Sequence, residues 1–333
     1  MAARPTIEEV AALAGVSRST VSRVVNGSSS VSPEALAAVQ QAITALNYAP
    51  NRAARSLASR QTHAIGLVVP EDTTRFFGDP FLASVVAGIS DRLSDSDYIL
   101  NLLIASDDPD GKMTRFVRNG GVDAAIIVSH HASDSFIERI AESVPVVFGG
   151  RPLRVRDSDI VVDVDNVAAA REAVQHLLAL GRRRIATITG SMSMSVSVDR
   201  REGFRAALED AGLQPAGEAD GDFSEQGGAA AARRLIAQDP RPDALFVASD
   251  LMARGALEVL REAGLRVPDD VAIVAFDDSP LAVAADLTSV RQPMAEQGEM
   301  LAGMVIDLLA GRAPAALTIL PTELIVRGSA PAV

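Results

Sequence analysis

Cysteine is absent from the 333-residue sequence, and lysine occurs once, at Lys112, among 31 basic residues. Without cysteine there is no disulfide, no thiolate-bound metal and no thiol nucleophile, a composition compatible with a reducing cytoplasm. The preference for arginine over lysine reads as genomic codon bias with no functional content. No run of eighteen apolar residues occurs, which argues against a membrane-spanning helix. The opening residues Met1 to Thr6 hold no apolar segment of the kind a secretory signal needs, so a cytoplasmic protein is expected. Histidine is scarce too, at His63, His130, His131 and His176, which leaves few candidates for a catalytic base. Adjacent residues seldom point at one ion, so His130 and His131 read as a solvated loop pair, and no metal or other cofactor is expected. No Gly-x-Gly-x-x-Gly opens the first strand–helix unit and no phosphate-binding Gly-x-x-x-x-Gly-Lys-Ser/Thr run exists. No catalytic constellation emerges, and an enzyme is not expected.

Hydrophobic residues make up 48% of the chain and charged residues 22%, the profile of a soluble globular protein. The length exceeds one ordinary core, so two or three domains are expected. The net charge of −12 is unevenly placed. Residues 1–60 carry six Arg and three Glu, a balance of +3, whereas the rest carries 25 basic and 40 acidic residues, a balance of −15. A small basic module joined to a large acidic one confines attraction for phosphate to one end.

That basic end punctuates itself into helices. Thr6 is placed as an N-cap with Glu9 three residues on as its capping-box partner. Ile7, Val10, Ala11 and Ala14 follow at helical spacing, and Gly15 stops the helix. Ser17 caps a second helix, Arg18 to Asn26, whose Val21, Val24 and Val25 face inward while Arg18, Ser19, Ser22 and Arg23 face outward. Ser32-Pro33-Glu34 opens a third helix, to about Leu46. Three short helices, the second with a polar, arginine-bearing face, match helix-turn-helix geometry. A guanidinium at Arg18 or Arg23 can grip guanine O6 and N7 together, a contact worth roughly 1–3 kcal/mol of discrimination. Ser17, Thr20 and Ser22 are short donors suited to phosphates. On pattern alone, a three-helix bundle for protein contacts fits as well.

The residues themselves are more specific. The runs Thr6-Ile7-Glu8-Glu9-Val10-Ala11, Ala14-Gly15-Val16-Ser17 and Thr20-Val21-Ser22-Arg23-Val24-Val25-Asn26-Gly27 closely resemble the headpiece of the lactose-repressor (LacI/GalR) family. So do Leu46-Asn47-Tyr48 and Pro50-Asn51-Arg52-Ala53-Ala54-Arg55-Ser56-Leu57. The resemblance implies that Arg18, Ser19 and Arg23 read bases, with Thr6, Ser17, Thr20, Ser22 and Asn26 also at the DNA. It implies that Asn51 to Ser59 form a hinge helix ordered on operator, with Ala54 against the minor groove and Leu57 wedged into the central base step. Such a wedge costs a few kcal/mol of unstacking and gains a bent, better-wrapped duplex.

From His63 onward, short apolar runs alternate with amphipathic segments. Strands are expected at His63–Val69, Tyr98–Ala105, Ala124–Ser129, Val144–Phe148, Ile160–Val164, Arg184–Thr189, Ala244–Ala248 and Ala272–Phe276. Helices are expected at Pro80–Ser94, Val167–Leu180, Arg201–Ala211, Gln226–Gln238 and Leu251–Ala263. Alternation of this kind indicates parallel doubly wound sheets, and the pattern restarts near Asp163–Asn166. Two α/β lobes with a cleft between them follow. The resemblance implies a periplasmic-binding-protein-like effector domain, crossed three times near Asp163–Asp165, Thr288–Gln292 and Leu317–Leu320. The expected organisation is a headpiece at 1–49, a hinge at 50–61 and an effector and dimerisation domain at 62–333. Its first lobe spans 62–163 and 292–318, its second 164–290 and 319–333.

A sugar effector asks for planar acceptors and donors for paired hydroxyls, plus an aromatic face for its C–H surface. Candidates at predicted strand ends are Arg151, Asp165, Asp250, Asp277 and Asp278, with Phe76, Phe77, Phe81 and Asp79 on the first-lobe side. Gln292, in Val290-Arg291-Gln292-Pro293, is included. The resemblance adds Arg200, with its Arg-x-x-Gly spacing, in the loop after the Arg184–Thr189 strand, and Phe223 as a stacking aromatic. Asp250 could equally cap a helix, Asp277 or Asp278 a turn, and Phe77 and Phe81 could be core. A sugar is favoured over a purine because the Ser191–Asp199 loop holds hydroxyls and methionines but no arginine before position 200. Val147-Phe148-Gly149-Gly150-Arg151-Pro152 also looks like members that answer to glucosides or oligosaccharides.

The reading is therefore a homodimeric repressor on a pseudo-palindromic operator in double-stranded DNA, controlled by a small ligand, a sugar or oligosaccharide, between two lobes. The alternatives are a purine- or other metabolite-responsive member of the same family, or a sugar-binding protein that does not touch DNA. No leucine heptad tail follows Val326, so a tetramer by that route is not expected.

Overall fold

The computed structural model describes residues 5–25, 30–48, 61–238 and 240–332. It divides into two compact units, Met1–Thr62 and His63–Val333. In the first, three helices enclose a small core: α1 (Ile7–Ala14), α2 (Arg18–Val25) and α3 (Pro33–Leu46). Val10, Ala11 and Val21, of the expected inward stripes, fill it with Val39 and Ala42 of α3, and Ile7, Ala14, Val24 and Val25 pack against them. The capping box forms as expected: Thr6 N donates to Glu9 Oε2 at 2.7 Å and Glu9 N to Thr6 Oγ1 at 3.3 Å. Ser17 Oγ accepts from Thr20 N at 3.1 Å, and Ser32 Oγ from Ala35 N at 3.3 Å.

The second unit is built on two six-stranded sheets. The first comprises β1 (Ala64–Val69), β2 (Ile99–Ile104), β3 (Ala124–Val128), β4 (Val146–Gly149), β5 (Ile160–Val164) and β11 (Leu317–Leu320), in the order β11-β5-β4-β3-β1-β2. The second comprises β6 (Ile185–Thr189), β7 (Gly217–Asp220), β8 (Ala244–Val247), β9 (Ala272–Asp277), β10 (Thr288–Arg291) and β12 (Glu323–Ile325), in the order β12-β10-β9-β8-β6-β7. Pairing is parallel except between β10 and β12. Central strands such as Ala-Ala-Ile-Ile-Val and Ala-Leu-Phe-Val are buried at every residue, because helices cover both faces of a parallel sheet.

The chain passes from the first lobe to the second between β5 and the helix Asn166–Ala179, at Asp165, and returns after β10, at Gln292-Pro293. The helix Met294–Leu309 then packs along Pro80–Leu93 in the first lobe. Their backbones approach so closely that a Cβ on Gly88 would collide with the Ala295 carbonyl, and one on Gly298 with the Val85 carbonyl. The third crossing follows Leu320, close to the expected place; since Leu317–Leu320 all pair with β5, residues 319 and 320 belong to the first lobe and not to the second. Other elements differ from expectation, and β10, β11 and β12 were not expected as strands. The helix carrying Arg200 begins at Ser195, so Arg200 is helical and not in a loop. The β7 strand, Gly217–Asp220, was not expected from its polar sequence; it lies at the sheet edge, where polar residues are tolerated.

Candidate functional site

On the headpiece, α2 turns Arg18, Ser19 and Arg23 outward, all exposed, with Ser17 exposed just before it. Thr6 is exposed at the start of α1, and Thr20 and Ser22 are partly covered. Ser17 Oγ lies 2.7 Å from Ser19 Oγ and 2.9 Å from Thr20 Oγ1, a cluster of hydroxyls at the head of the helix. Arg18 Nε approaches Glu8 Oε1 at 3.3 Å, a surface pair that a DNA backbone could displace at little cost. Asn26 and the hinge positions Asn51, Ala54 and Leu57 lie outside the described residues.

Between the lobes of the larger unit is a cavity with about 670 Å³ of empty space, its solvent-facing mouth included. Asp79, Arg200, Phe223, Asp277 and Gln292 line it, as do Arg75, Phe81, His130, Asp163, Ser195, Ser249 and Gln297. Asp79 caps the helix Pro80–Leu93, accepting from Phe81 N at 2.9 Å. Asp163, at the end of β5, accepts from Arg151 N and Val164 N, each at 2.8 Å. Asp277, at the end of β9, is held at φ +111°, a backbone region that costs an L-residue about 1–3 kcal/mol. Gln292 Nε2 donates to its Oδ1 at 2.6 Å, and Arg200 Nη1 stands 3.8 Å from the same oxygen.

Burial pushes the carboxyls of Asp79 and Asp163 above the ordinary carboxylate range, and Asp277 well above it. Arg200 is buried as well. Its Nε donates to Asn166 Oδ1 at 2.9 Å, its Nη1 to the Ala248 carbonyl at 2.6 Å, and its Cζ lies 3.6 Å from the Phe276 ring centroid. Most of its bonding capacity thus goes to tying strand ends together. Phe223 is buried, and both it and Asp222 take a left-handed φ of +49°. This turn sends the ring over Gly190, where a Cβ would collide with it. Replacing Gly190 with alanine is therefore expected to displace Phe223 and weaken binding of a small ligand in this cavity at least tenfold; calorimetric titration of parent and variant checks it.

Other expected site residues stand elsewhere. Phe77 is 76% exposed and Phe76 belongs to the first-lobe core, so neither lines the cavity; Phe81 does. Asp165 caps the helix Asn166–Ala179 through Ala168 N, and Asp163, two residues earlier, takes the cavity position. Arg151 is turned away from the cavity lining to pair with Asp199, its Nη2 at 2.6 and 2.8 Å from the two oxygens. Asp250 is set behind the lining, accepting from Ser279 N and Ser289 Oγ, each at 2.7 Å, while Ser249 faces the cavity. Asp278 is held by Arg291, at 2.7 Å, and Arg327, at 2.6 Å.

The adjacent histidines are not a solvated pair. His130 is buried, its Nε2 3.1 Å from the Gly150 carbonyl oxygen, and burial depresses its pKa. His131 lies between lobes: Nε2 is 3.1 Å from Glu71 Oε1 and Nδ1 is 2.6 Å from Ser193 Oγ, while Ala132 N donates to the Ser193 carbonyl at 2.9 Å. The hydrogen bond to Glu71 raises the His131 pKa. Among the described residues no group of acidic, histidine or cysteine side chains could hold a metal, and no helix is long and apolar enough to cross a membrane.

Burial raises the Asp250 carboxyl from 3.8 to about 6. The folded chain then holds this proton more tightly than the unfolded chain does. Protonation favours folding, and that advantage declines as pH rises through 3.8 and is gone above about 6. Denaturation from pH 4 to pH 7 should show a loss of stability across this window in the parent protein, with a shallower slope in Asp250→Asn.

Residues 6–51 match the family model described as bacterial regulatory proteins, lacI family, and residues 174–330 match a periplasmic binding protein-like domain. The transcriptional regulator CelR of Thermobifida fusca is 43% identical, with 98% of each chain covered. The ribose operon repressor of Escherichia coli K12 is 36% identical, over 90% of this chain and 92% of that one. Among solved structures, a CelR–cellobiose complex superposes with a TM-score of 0.77 at 40% identity, covering 98% of this chain and 100% of that one. The lac repressor dimer bound to operator and the anti-inducer ONPF gives 0.85 at 28% identity, covering 99% and 100%.

Proposed function

The chain belongs to the lacI family of bacterial regulatory proteins, and on that premise we propose that it is a cytoplasmic, sequence-specific transcriptional repressor controlled by a saccharide. It acts as a homodimer, each headpiece reading one half of a pseudo-palindromic operator. Arg18, Ser19 and Arg23 read base edges, the hydroxyl cluster around Ser17 meets phosphate, and Leu57 opens the central base step from the minor groove. The sugar sits between the lobes and changes the balance of their arrangements, which the headpieces feel as a change in spacing.

The cavity's donor and acceptor set carries the sugar reading. Asp79, Asp163 and Asp277 face it with Arg75 and Arg200, beside the aromatic ring of Phe223. Carboxyl groups outnumber guanidiniums, which suits a neutral polyol offering many hydroxyls. Carboxylates accept pairs of hydroxyl protons, and the ring covers the C–H face that a pyranose presents. CelR, solved with cellobiose, makes that disaccharide the first to test. A thermal-shift screen of mono- and disaccharides should show a concentration-dependent rise for a true ligand, because binding the folded form stabilises it by mass action. Gel shifts on an operator selected from random duplexes, with and without each hit, then give the sign of control. A chain that selects no DNA sequence, or that no saccharide stabilises, would refute the reading.

A further inference from the structure

Two arginines face the cavity, and they are provided for very differently. Arg200 spends Nε and Nη1 on protein acceptors and lies flat against Phe276. Arg75, on the short helix Thr73–Gly78, is almost as enclosed, with 13% of its side chain exposed. Its Nη1 reaches Glu71 Oε2 at 3.3 Å and Asp222 Oδ1 only at 3.9 Å. Its Nε is buried with no hydrogen-bond partner. Its Cζ stands 5.7 Å from the Phe223 centroid, near the outer limit of about 6 Å for attraction between a cation and a ring. A buried guanidinium donor without an acceptor is costly, and native proteins rarely leave one so unless something else is meant to take it.

We propose that Arg75 is a specificity-determining effector residue, donating from its Nε edge to hydroxyl oxygens of the saccharide at the Phe223 end of the cavity. This rests on the saccharide reading above and assigns one of its contacts. Nε and the terminal nitrogen beside it form a planar fork of parallel N–H groups, which matches two neighbouring oxygens on a sugar ring. At 3.3 and 3.9 Å the two ion pairs leave Nε unclaimed by either carboxylate. The aromatic and the fork then act on one ring, Phe223 under its C–H face and Arg75 at its edge. Because Arg75 comes from the first lobe and Phe223 from the second, a sugar held by both also bridges them.

The test is calorimetric titration of the full-length parent, Arg75→Met and Arg75→Lys with cellobiose and its monodeoxy analogues, after circular dichroism has shown that each variant is folded. Arg75→Met should bind cellobiose at least tenfold more weakly, and Lys, a point charge without the fork, should restore only part of that. For the analogue lacking the hydroxyl that Arg75 reads, the penalty of Arg75→Met should vanish. An equal penalty with every analogue would assign Arg75 a structural role and overturn the proposal, as would binding within twofold of the parent. If the parent binds neither cellobiose nor any other saccharide of the screen, the saccharide reading itself falls and takes this contact with it. If the parent binds a different saccharide, the same series is run with that sugar, and the same outcomes decide.

Discussion

Arg200→Ala is expected to be the most damaging single substitution at the cavity, lowering stability by about 3–5 kcal/mol. The loss comes from what is left behind. Asp277 would keep Gln292 as its hydrogen-bond donor but lose its cation, in a position where burial already pushes its carboxyl well above the usual range. The Ala248 carbonyl and the Asn166 amide oxygen, each accepting from Arg200, would lose their donors in the same place. Chemical denaturation checks the magnitude; a change under 1 kcal/mol would mean that the cluster reorganises without its arginine. Arg200→Lys should recover little, since an ammonium cannot reach Asn166, Ala248 and Asp277 together in one plane.

The second large effect belongs to the other unit. Arg23 is exposed on α2 with no ion pair or hydrogen bond of its side chain among the described residues, so its removal should leave the headpiece fold intact. As a base reader it should cost about 1–3 kcal/mol of operator affinity on mutation to alanine and relax selection at one base position. A selection from random duplexes repeated with Arg23→Ala checks both parts. A uniform loss across sequences, with a shallower dependence on salt, would make Arg23 a phosphate contact instead.

Headpiece and lobes were legible in the sequence for different reasons. In α1 and α3 the described starts, and the stop of α1, are marked by residues whose chemistry allows few alternatives: Thr6 with Glu9, Gly15 at φ +65°, Ser32 before Pro33. In the lobes, strands buried on both faces announce themselves as unbroken apolar runs. The cavity was half legible. Asp79, Asp277, Gln292, Arg200 and Phe223 face it as expected, but Asp163 and Asp165 exchanged roles, because a helix N-cap takes whichever carboxylate immediately precedes the helix. Phe76 and Phe77 were indistinguishable as letters. One turn direction buries the first and exposes the second. His131 and Ser193 carried no signal because their partners are distant in sequence; Glu71 and Ser193 lie 60 and 62 residues from His131.

The crossed connections also govern how the effector domain can be made. Its first lobe is complete only when the helix Met294–Leu309 covers β3, β4 and β5 and when β11 pairs with β5. A ribosome that has finished Val164 has therefore synthesised five of that sheet's six strands, with one apolar face only partly covered and an open edge at β5. The second lobe is synthesised in the meantime. Long-range pairing of this kind folds slowly and leaves an edge available to wrong partners. Fragments ending before Leu320 should accordingly aggregate rather than yield an isolated lobe, and the two walls of the cavity between the lobes come together only once Leu317–Leu320 has paired with β5.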